Sequence, residues 1–132
     1  MAEQAPLLLS LDNGTQSVRA MLFDLEGELV AKSQIQLEAY VSPKPGWAEH
    51  DPQDYWDNLC RACQELKASH PKEFARIAGA SVTTQRGTFL CTDGEGRALR
   101  PAIVWLDQRQ VEPPPMTTRA GKAMAVATRL VG

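Results

Sequence analysis

The sequence has 132 residues, which is the size of one ordinary domain. Its 14 lysines and arginines against 16 aspartates and glutamates give a formal net charge of −2, which excludes the strongly basic surface of a dedicated nucleic-acid-binding protein. Hydrophobic residues make up 43% and charged residues 23%, so the composition also excludes an intrinsically disordered chain.

The cysteines and the N-terminus bear on the cellular compartment. The chain has an odd number of cysteines, namely Cys60, Cys63 and Cys91, and no metal-ligand motif accompanies them. We therefore expect reduced and mostly buried thiols. Glu3 stands where a signal peptide needs positive charge, and the apolar run 7–11 is too short to cross a bilayer. We therefore predict a cytoplasmic protein with no membrane partner and no nucleic-acid partner.

Three strands are predicted at the start of the chain. The first is the apolar run Leu7–Leu11, which stops at the polar turn 12–14. The next two, Val18–Asp24 and Leu29–Leu37, flank a turn that contains Glu26 and Gly27. Short turns between consecutive strands predict an antiparallel meander.

A helix and further strands follow the meander. After the Pro-rich connection 40–52, Asp51 is a candidate N-cap and Pro52 occupies the first helical position. Apolar residues then recur at three- and four-residue spacing until His70, which precedes a proline. Apolar runs at 77–83, 89–91 and 101–105 predict more strands. This order of elements predicts an α/β fold built on a mixed sheet.

The end of the chain differs in composition. The prolines at 113–115 break any regular element, and the Ala-rich stretch 120–130 is weakly helical. We therefore predict that residues 1–109 belong to the folded domain and that residues 110–132 form a divergent tail.

The loop between the first two strands is the first candidate site. Gly14 allows a tight turn whose backbone N–H groups can cradle phosphate oxygens, and the hydroxyls of Thr15 and Ser17 add donors. Asp12 could hold a metal ion, and Arg19 could add positive charge beside phosphates. An ordinary hairpin with an Asn-Gly turn fits the same spacing, so both interpretations stay open at this point.

Two later loops are candidate ligand sites. Gln85 and Arg86 follow a predicted strand, where ligands of α/β sheets often bind and where such side chains can bond several hydroxyls. Trp105 and Asp107 combine an aromatic face with a carboxylate, which suits a sugar. Taken singly, each loop also fits a simpler interpretation. The loop with Gln85 and Arg86 fits a polar hairpin with a solvated arginine. The loop with Trp105 and Asp107 fits a core tryptophan followed by surface ion pairs.

The segment 45–56 contains acidic residues around His50, but adjacent side chains rarely all face one metal ion. We interpret this segment as a packing and capping element, with Trp47 and Trp56 as anchors. Cys60 and Cys63 lie one turn apart on the predicted helix, where a core or half-exposed position fits better than a redox pair.

Read together and in this order, the segments resemble the FGGY family of carbohydrate kinases, over the range from Leu7 to Arg109. The segments that carry the resemblance are Asp12-x-Gly14-Thr15-x-Ser17-x-Arg19, the hairpin with Gly27, Pro45-Gly46-Trp47-x-Glu49-x-Asp51-Pro52 with Trp56, Gln85-Arg86, and Arg100-Pro101-Ala102-Ile103-Val104-Trp105-Leu106-Asp107-x-Arg109. Five such segments in one order are a specific signal.

The resemblance implies an actin-like, ribonuclease-H-type fold, of which this chain holds an incomplete N-terminal domain. It implies transfer of the γ-phosphoryl group of ATP to a sugar or polyol hydroxyl, with Mg²⁺ as a second cofactor. Asp12 is then the expected metal-binding residue. The expected cofactor-binding residues are Asp12, Gly14, Thr15, Ser17 and Arg19, and the expected substrate-binding residues are Gln85, Arg86, Gly87, Trp105 and Asp107.

Two features depart from the family pattern. Glycerol kinases carry Glu, and xylulose kinases His, at the position of Gly87. Family members are also several times longer, and their general-base aspartate lies beyond the end of this chain. We therefore assign no catalytic residue within it and expect the chain alone to be inactive, while a full-length member would be an active kinase and could form a homodimer.

Two other functions fit parts of this pattern. A truncated, non-catalytic isoform that acts as a binding or regulatory module is the alternative from a different class. An actin-like ATPase without sugar chemistry is a third interpretation, against which Gln85, Arg86 and Trp105 argue.

Overall fold

A computed structural model of the protein describes residues 5–38 and 40–110. The predicted proline break and Ala-rich tail lie outside these residues, so the boundary after residue 109 stays a prediction. The elements are β1 (Leu7–Asn13), β2 (Ser17–Phe23), β3 (Leu29–Gln36), β4 (Glu49–His50), α1 (Pro52–Ser69), α2 (Pro71–Phe74), β5 (Ile77–Thr84) and β6 (Ala102–Ile103).

The main sheet has four strands in the order β3-β2-β1-β5. The pairs β1–β2 and β2–β3 are antiparallel, whereas β5 runs parallel to β1. The predicted meander and the predicted mixed sheet are therefore confirmed. A second, two-stranded sheet pairs β4 with β6.

The hairpin between β2 and β3 forms as the sequence predicts. Gly27 has a φ of 90°, a left-handed conformation that glycine adopts without steric cost. One carboxylate oxygen of Asp24 accepts hydrogen bonds from the backbone N–H groups of Glu26 and Glu28. Asp93 repeats this arrangement in the later turn by accepting from the N–H groups of Glu95 and Arg97.

Helix α1 begins and ends at the predicted signals. The Asp51 carboxylate caps it by accepting from the backbone N–H of Gln53 at 2.9 Å, and Pro52 starts the first turn. At the other end, the N–H of His70 donates to the carbonyl of Leu66 at 2.9 Å. None of the helices in the described ranges combines the length and apolarity needed to span a bilayer.

The core lies between α1 and one face of the main sheet. From the helix, Tyr55, Ala62 and Leu66 are buried. From the sheet, the buried residues of the core cluster are Leu7, Val18, Ala20, Leu22, Ala31 and Ile35. Because side chains alternate along a strand, the opposite face of β1–β3 carries the intervening residues, which include Asp12, Arg19 and Gln34. Packing α1 on one face thus leaves polar side chains on the other.

Several sequence predictions are wrong. The predicted strand 89–91 is reduced to one isolated bridge, between Phe89 and Ile103, because its side chains are exposed and pack against no core. Trp56 is 63% exposed rather than an anchor. Cys91 is exposed, not buried.

The other two thiols match their prediction. Cys60 and Cys63 are half-buried on α1. Burial, together with the neighbouring Cys60, raises the pKa of Cys63 above its ordinary value. A raised pKa lowers thiolate content, which argues further against a reactive redox pair.

Candidate active site

An open cavity of about 750 Å³ lies on the polar side of the main sheet, where the loop between β1 and β2 approaches the segment after β6. The residues that line it are Gly14, Thr15, Gln16, Ser17, Arg19, Gln34, Gln36, Trp105 and Leu106. The cavity therefore joins residues from two of the three candidate loops, which are about 90 positions apart in the sequence.

Strand register explains the polar lining. Arg19 of β2 lies opposite Asp12 of β1 on one side and opposite Gln34 of β3 on the other. Ser17 lies opposite Gln36 in the same way. The two glutamines were missed as candidates, although the alternation of polar and buried residues along β3 is the signal that could have identified them.

Asp12 and Arg19 form an ion pair across the two strands. The distance between Asp12 Oδ2 and Arg19 Nη1 is 2.5 Å, and both side chains are about one-third exposed. Within the described part of the chain, the second oxygen of Asp12 accepts no hydrogen bond. One carboxylate oxygen thus faces the cavity side of the sheet with lone pairs available to a ligand.

Gly14 is required by a close approach rather than by a positive φ. Its N–H donates to the carbonyl of Ser17 at 3.1 Å, and a Cβ atom at Gly14 would lie 3.0 Å from that oxygen. The N–H groups of Thr15 and Gln16 donate to no acceptor among residues 5–38 and 40–110. The loop therefore presents two adjacent N–H groups, an arrangement that suits an anion.

Both predicted hydroxyl donors already have partners. Ser17 is buried, and its hydroxyl accepts from Gln34 Nε2 at 3.4 Å. The hydroxyl of Thr15 donates to Gln85 Oε1 at 3.0 Å and accepts from Nε1–H of Trp105, also at 3.0 Å. All three candidate loops therefore meet at Thr15. Trp105 is 55% exposed, so the interpretation of this residue as a core tryptophan is wrong.

Asp107 is held by an array of hydrogen bonds. Its Oδ2 accepts from the Ala48 N–H at 2.7 Å and from Arg109 Nη2 at 2.6 Å, and its Oδ1 accepts from two further Arg109 nitrogens. Arg109 also pairs with Glu49 at 2.8 Å and stacks 3.9 Å from the ring centroid of Trp47. Both oxygens of Asp107 are thus engaged, so this carboxylate fixes the loop that carries Trp105 and offers little to a ligand.

These contacts stabilise the charged forms of Asp107 and Arg109. The hydrogen bonds from Arg109 hold the pKa of Asp107 well below its usual range, and the backbone N–H of Ala48 adds to this effect. In turn, hydrogen bonding to Asp107, with a further contribution from Glu49, raises the pKa of Arg109 above its ordinary value. Both groups of the pair are therefore ionised at neutral pH.

Replacing Asp107 with asparagine should lower the stability of the chain at pH 7. Because its folded-state pKa is depressed, the stabilisation by the Asp107 carboxylate is complete above the ordinary aspartate pKa of about 4 and is lost as the pH falls further. The difference in urea midpoint between wild type and Asp107→Asn should therefore shrink below pH 4. The exposed Asp57→Asn variant is the control, and a difference that is constant with pH would contradict the prediction.

Gly87 lies close to the side chain of Trp105. It has a φ of 72°, and a Cβ atom at this position would lie 3.3 Å from the Cβ of Trp105. Neighbouring Arg86 is exposed and has no ion-pair or hydrogen-bond partner in the described ranges. Neither Arg86, Gly87 nor Asp107 lines the cavity itself, whereas Gln85 reaches it through Thr15.

Replacing Gly87 with alanine should destabilise the chain by about 1–2 kcal/mol, because a left-handed backbone is costly for a residue with a Cβ atom. Contact with Trp105 should also shift the tryptophan emission. Gly94→Ala is the matched control, since that glycine has neither a positive φ nor an atom within 4 Å of the added carbon. Equal urea midpoints for the two variants would show that the Gly87 conformation is not required.

Comparison with known proteins decides the family. The model of the FGGY family of carbohydrate kinases, N-terminal domain, matches residues 7–128. This chain belongs to the FGGY family. A glycerol kinase from Thermococcus gammatolerans is 40% identical over 105 residues, which cover 80% of this chain and 21% of that enzyme. A glycerol kinase from Burkholderia cenocepacia is 39% identical over 110 residues, which cover 83% and 22%.

Solved FGGY-family structures share the fold. A xylulose kinase structure from Rhodospirillum rubrum matches with a TM-score of 0.73 and 36% identity over 78% of this chain and 21% of that one. A Plasmodium falciparum glycerol kinase with ADP matches with a TM-score of 0.69 and 26% identity over 95% and 23%. The expected actin-like fold class is thereby confirmed. The chain spans about one-fifth of the length of these relatives.

Proposed function

We propose that this chain is the N-terminal part of a carbohydrate kinase that transfers the γ-phosphoryl group of ATP to a hydroxyl of a sugar or polyol. Membership of the FGGY family supports the reaction class, and the neighbour with ADP supports the nucleotide. The observation that carries the proposal is the meeting of the three candidate loops at Thr15, which lines the cavity and hydrogen-bonds to both Gln85 and Trp105.

The nucleotide side of the proposed site is the loop between β1 and β2. Its unpaired N–H groups at Thr15 and Gln16 bind phosphate oxygens, and the close turn at Gly14 brings the backbone near them. Arg19 adds positive charge on the adjacent strand, and Ser17 holds the end of the loop by accepting a hydrogen bond from Gln34. Fixed donors of this kind favour phosphoryl transfer because they are already oriented toward the charge of the phosphates.

Asp12 is the proposed Mg²⁺ residue. Mg²⁺ in kinase sites is bound by one or two carboxylates together with phosphates and water, and Asp12 has one carboxylate oxygen free of protein donors in the described part of the chain. The donor set therefore fits the ion. When bound, Mg²⁺ neutralises negative charge on the phosphates. Arg19, which pairs with Asp12, would supply positive charge beside the phosphates.

The substrate side of the proposed site is formed by the loop after β5 and the loop after β6. Gln85 and the exposed Arg86 donate to hydroxyls, and the exposed face of Trp105 covers C–H groups of the substrate. Gly87 leaves the space beside Trp105 free of a side chain. Asp107 was expected to bind substrate, and we assign it instead to holding the Trp105 loop, because its oxygens are already bonded.

The general base is proposed to be an aspartate outside this chain, which accepts the proton of the attacking hydroxyl. Residues 1–109 then supply the first part of one kinase domain. Since the chain spans about one-fifth of its relatives, we propose that it has no appreciable kinase activity alone and that the complete protein, acting in the cytoplasm, does.

ADP release tests the proposal. The complete protein and the 132-residue chain are each incubated with MgATP and a panel that includes glycerol and xylulose. Substrate-dependent ADP formation is expected from the complete protein and none from the chain alone. Turnover by the chain would overturn its proposed inactivity, and ADP release that ignores every sugar and polyol would overturn the proposed kinase function.

Exposed apolar residues favour a second candidate, a non-catalytic binding module. Val82 on β5 and Leu8 on β1 are exposed on the sheet, and Phe89 and Leu99 are exposed beyond it. Such surface favours association with another protein or segment. A binding module must fold without the rest of a kinase, so aggregation of the isolated chain in place of cooperative thermal unfolding would contradict this second candidate.

A further inference from the structure

We propose that Thr15 is a positioning residue that couples the substrate loops to the nucleotide loop, so that the sugar or polyol and ATP strengthen each other's binding. The inference rests on the proposed function. It assigns Thr15 a role through its side chain that differs from a simple phosphate contact.

The hydrogen-bonding capacity of the Thr15 hydroxyl is already used within the protein. A threonine hydroxyl has one hydrogen to donate, and that hydrogen goes to Gln85 Oε1 at 3.0 Å. The same oxygen accepts the indole N–H of Trp105 at 3.0 Å. The side chain is therefore already committed to two residues of the proposed substrate site, while its backbone N–H remains available to a phosphate.

Gln85 and Trp105, the two partners of Thr15, have further contacts of their own. Gln85 is tied to the sheet by its N–H, which donates to the Asn13 carbonyl at 3.1 Å. The indole N–H of Trp105 donates to Thr15, and the Cβ of Trp105 lies close to Gly87, where an added Cβ atom would approach it to 3.3 Å. Asp107 holds the rest of its loop to the Ala48 N–H. The hydrogen bond therefore links the position of the indole to that of Thr15.

These contacts connect the proposed substrate site to the proposed nucleotide site. A substrate that rests on the exposed face of Trp105 fixes the indole, and the indole N–H then fixes the hydroxyl and backbone of Thr15. Ordering of the loop by one ligand removes part of the cost of ordering it for the other, which is positive coupling between sites. The coupling acts in both directions, so nucleotide should also strengthen substrate binding.

The first measurement uses the 132-residue chain and requires no enzymatic activity. Of the three tryptophan indole N–H signals in a ¹H–¹⁵N spectrum, the signal of Trp105 is the one lost in Trp105→Phe. Thr15→Val, which keeps the shape but removes the hydroxyl, should shift that signal and speed its exchange with solvent. Thr15→Ser should restore it, and the signals of Trp47 and Trp56 should stay in place as an internal control for folding.

The second measurement uses the complete protein. The wild-type coupling is the factor by which saturating glycerol or xylulose lowers the Kd of MgADP. In Thr15→Val and in Trp105→Phe that factor should fall by about two- to tenfold, the scale of one neutral hydrogen bond, and the double variant should lose no more than the larger single loss. Thr15→Ser should retain most of the coupling.

Separate outcomes decide separate claims. A Trp105 signal that is unchanged in Thr15→Val, or a coupling factor that is equal in Thr15→Val and wild type, overturns the role of Thr15. Equal losses in Thr15→Ser and Thr15→Val also overturn it, because the hydroxyl would then be irrelevant. Failure of the complete protein to phosphorylate any sugar overturns the proposed function instead, and the indole signal still decides the contact.

Discussion

Asp12→Asn should lower the kcat of the complete kinase by about 10²–10³-fold, the loss typical of removing one preorganised group that stabilises charge in a transition state. Asparagine keeps the size of the side chain and can still accept a bond from Arg19, so the sheet should fold normally. What it removes is the negative charge that we propose for Mg²⁺ binding. The steady-state rate of ADP formation at saturating substrate measures this effect.

The control for this prediction is Asp57→Asn, a change of the same type at an exposed position on α1, far in sequence from the cavity-lining residues. It should leave kcat unchanged. Raising the Mg²⁺ concentration should recover part of the activity of Asp12→Asn but should not affect the control. If Asp12→Asn retained wild-type kcat at ordinary Mg²⁺ concentrations, the assignment of Asp12 to the metal would be wrong.

Leu66→Ala should destabilise the chain by about 2–5 kcal/mol. The Leu66 side chain is fully buried where α1 packs on the main sheet, so its truncation removes apolar contacts and leaves a cavity that the helix cannot readily fill. A loss of this size is a large fraction of the total stability of a small domain, which is about 5–15 kcal/mol. Urea denaturation of wild type and variant measures it.

Leu99→Ala is the matched control, because Leu99 is 67% exposed and its truncation leaves no internal cavity. Its urea midpoint should stay close to that of wild type. A similar midpoint for Leu66→Ala and Leu99→Ala would contradict the packing of α1 against the sheet, and with it the separation of a core face from a polar cavity face.

Local sequence signals were sufficient to predict the parts of the fold whose contacts join residues close together in the sequence. Asp24 and Gly27 shape the hairpin between β2 and β3, and Asp51 with Pro52 starts α1. In each case the residues that specify the feature lie within a few positions of it. For the same reason, the loop around Gly14 could be identified as an anion-binding candidate from its sequence alone.

Contacts between distant segments could not be predicted in this way. The sequence does not indicate that Thr15 bonds to Trp105, because that contact requires β1 and β5 to pair and the loop after β6 to return over them. The full engagement of Asp107 by Arg109 and Ala48 likewise depends on β4 and β6 lying side by side. Exposure of Trp56 follows from which face of α1 meets the sheet, a choice made by the whole apolar pattern.

The chemical form of the transferred phosphate tests the central claim most directly. The complete protein is incubated with MgATP and each sugar or polyol of the panel, and the products are followed by ³¹P NMR. We expect a phosphomonoester of one carbohydrate hydroxyl to appear in equal amount with ADP, as kinase chemistry requires. Formation of ADP with inorganic phosphate and no carbohydrate ester would contradict the account and would favour an ATPase without sugar chemistry.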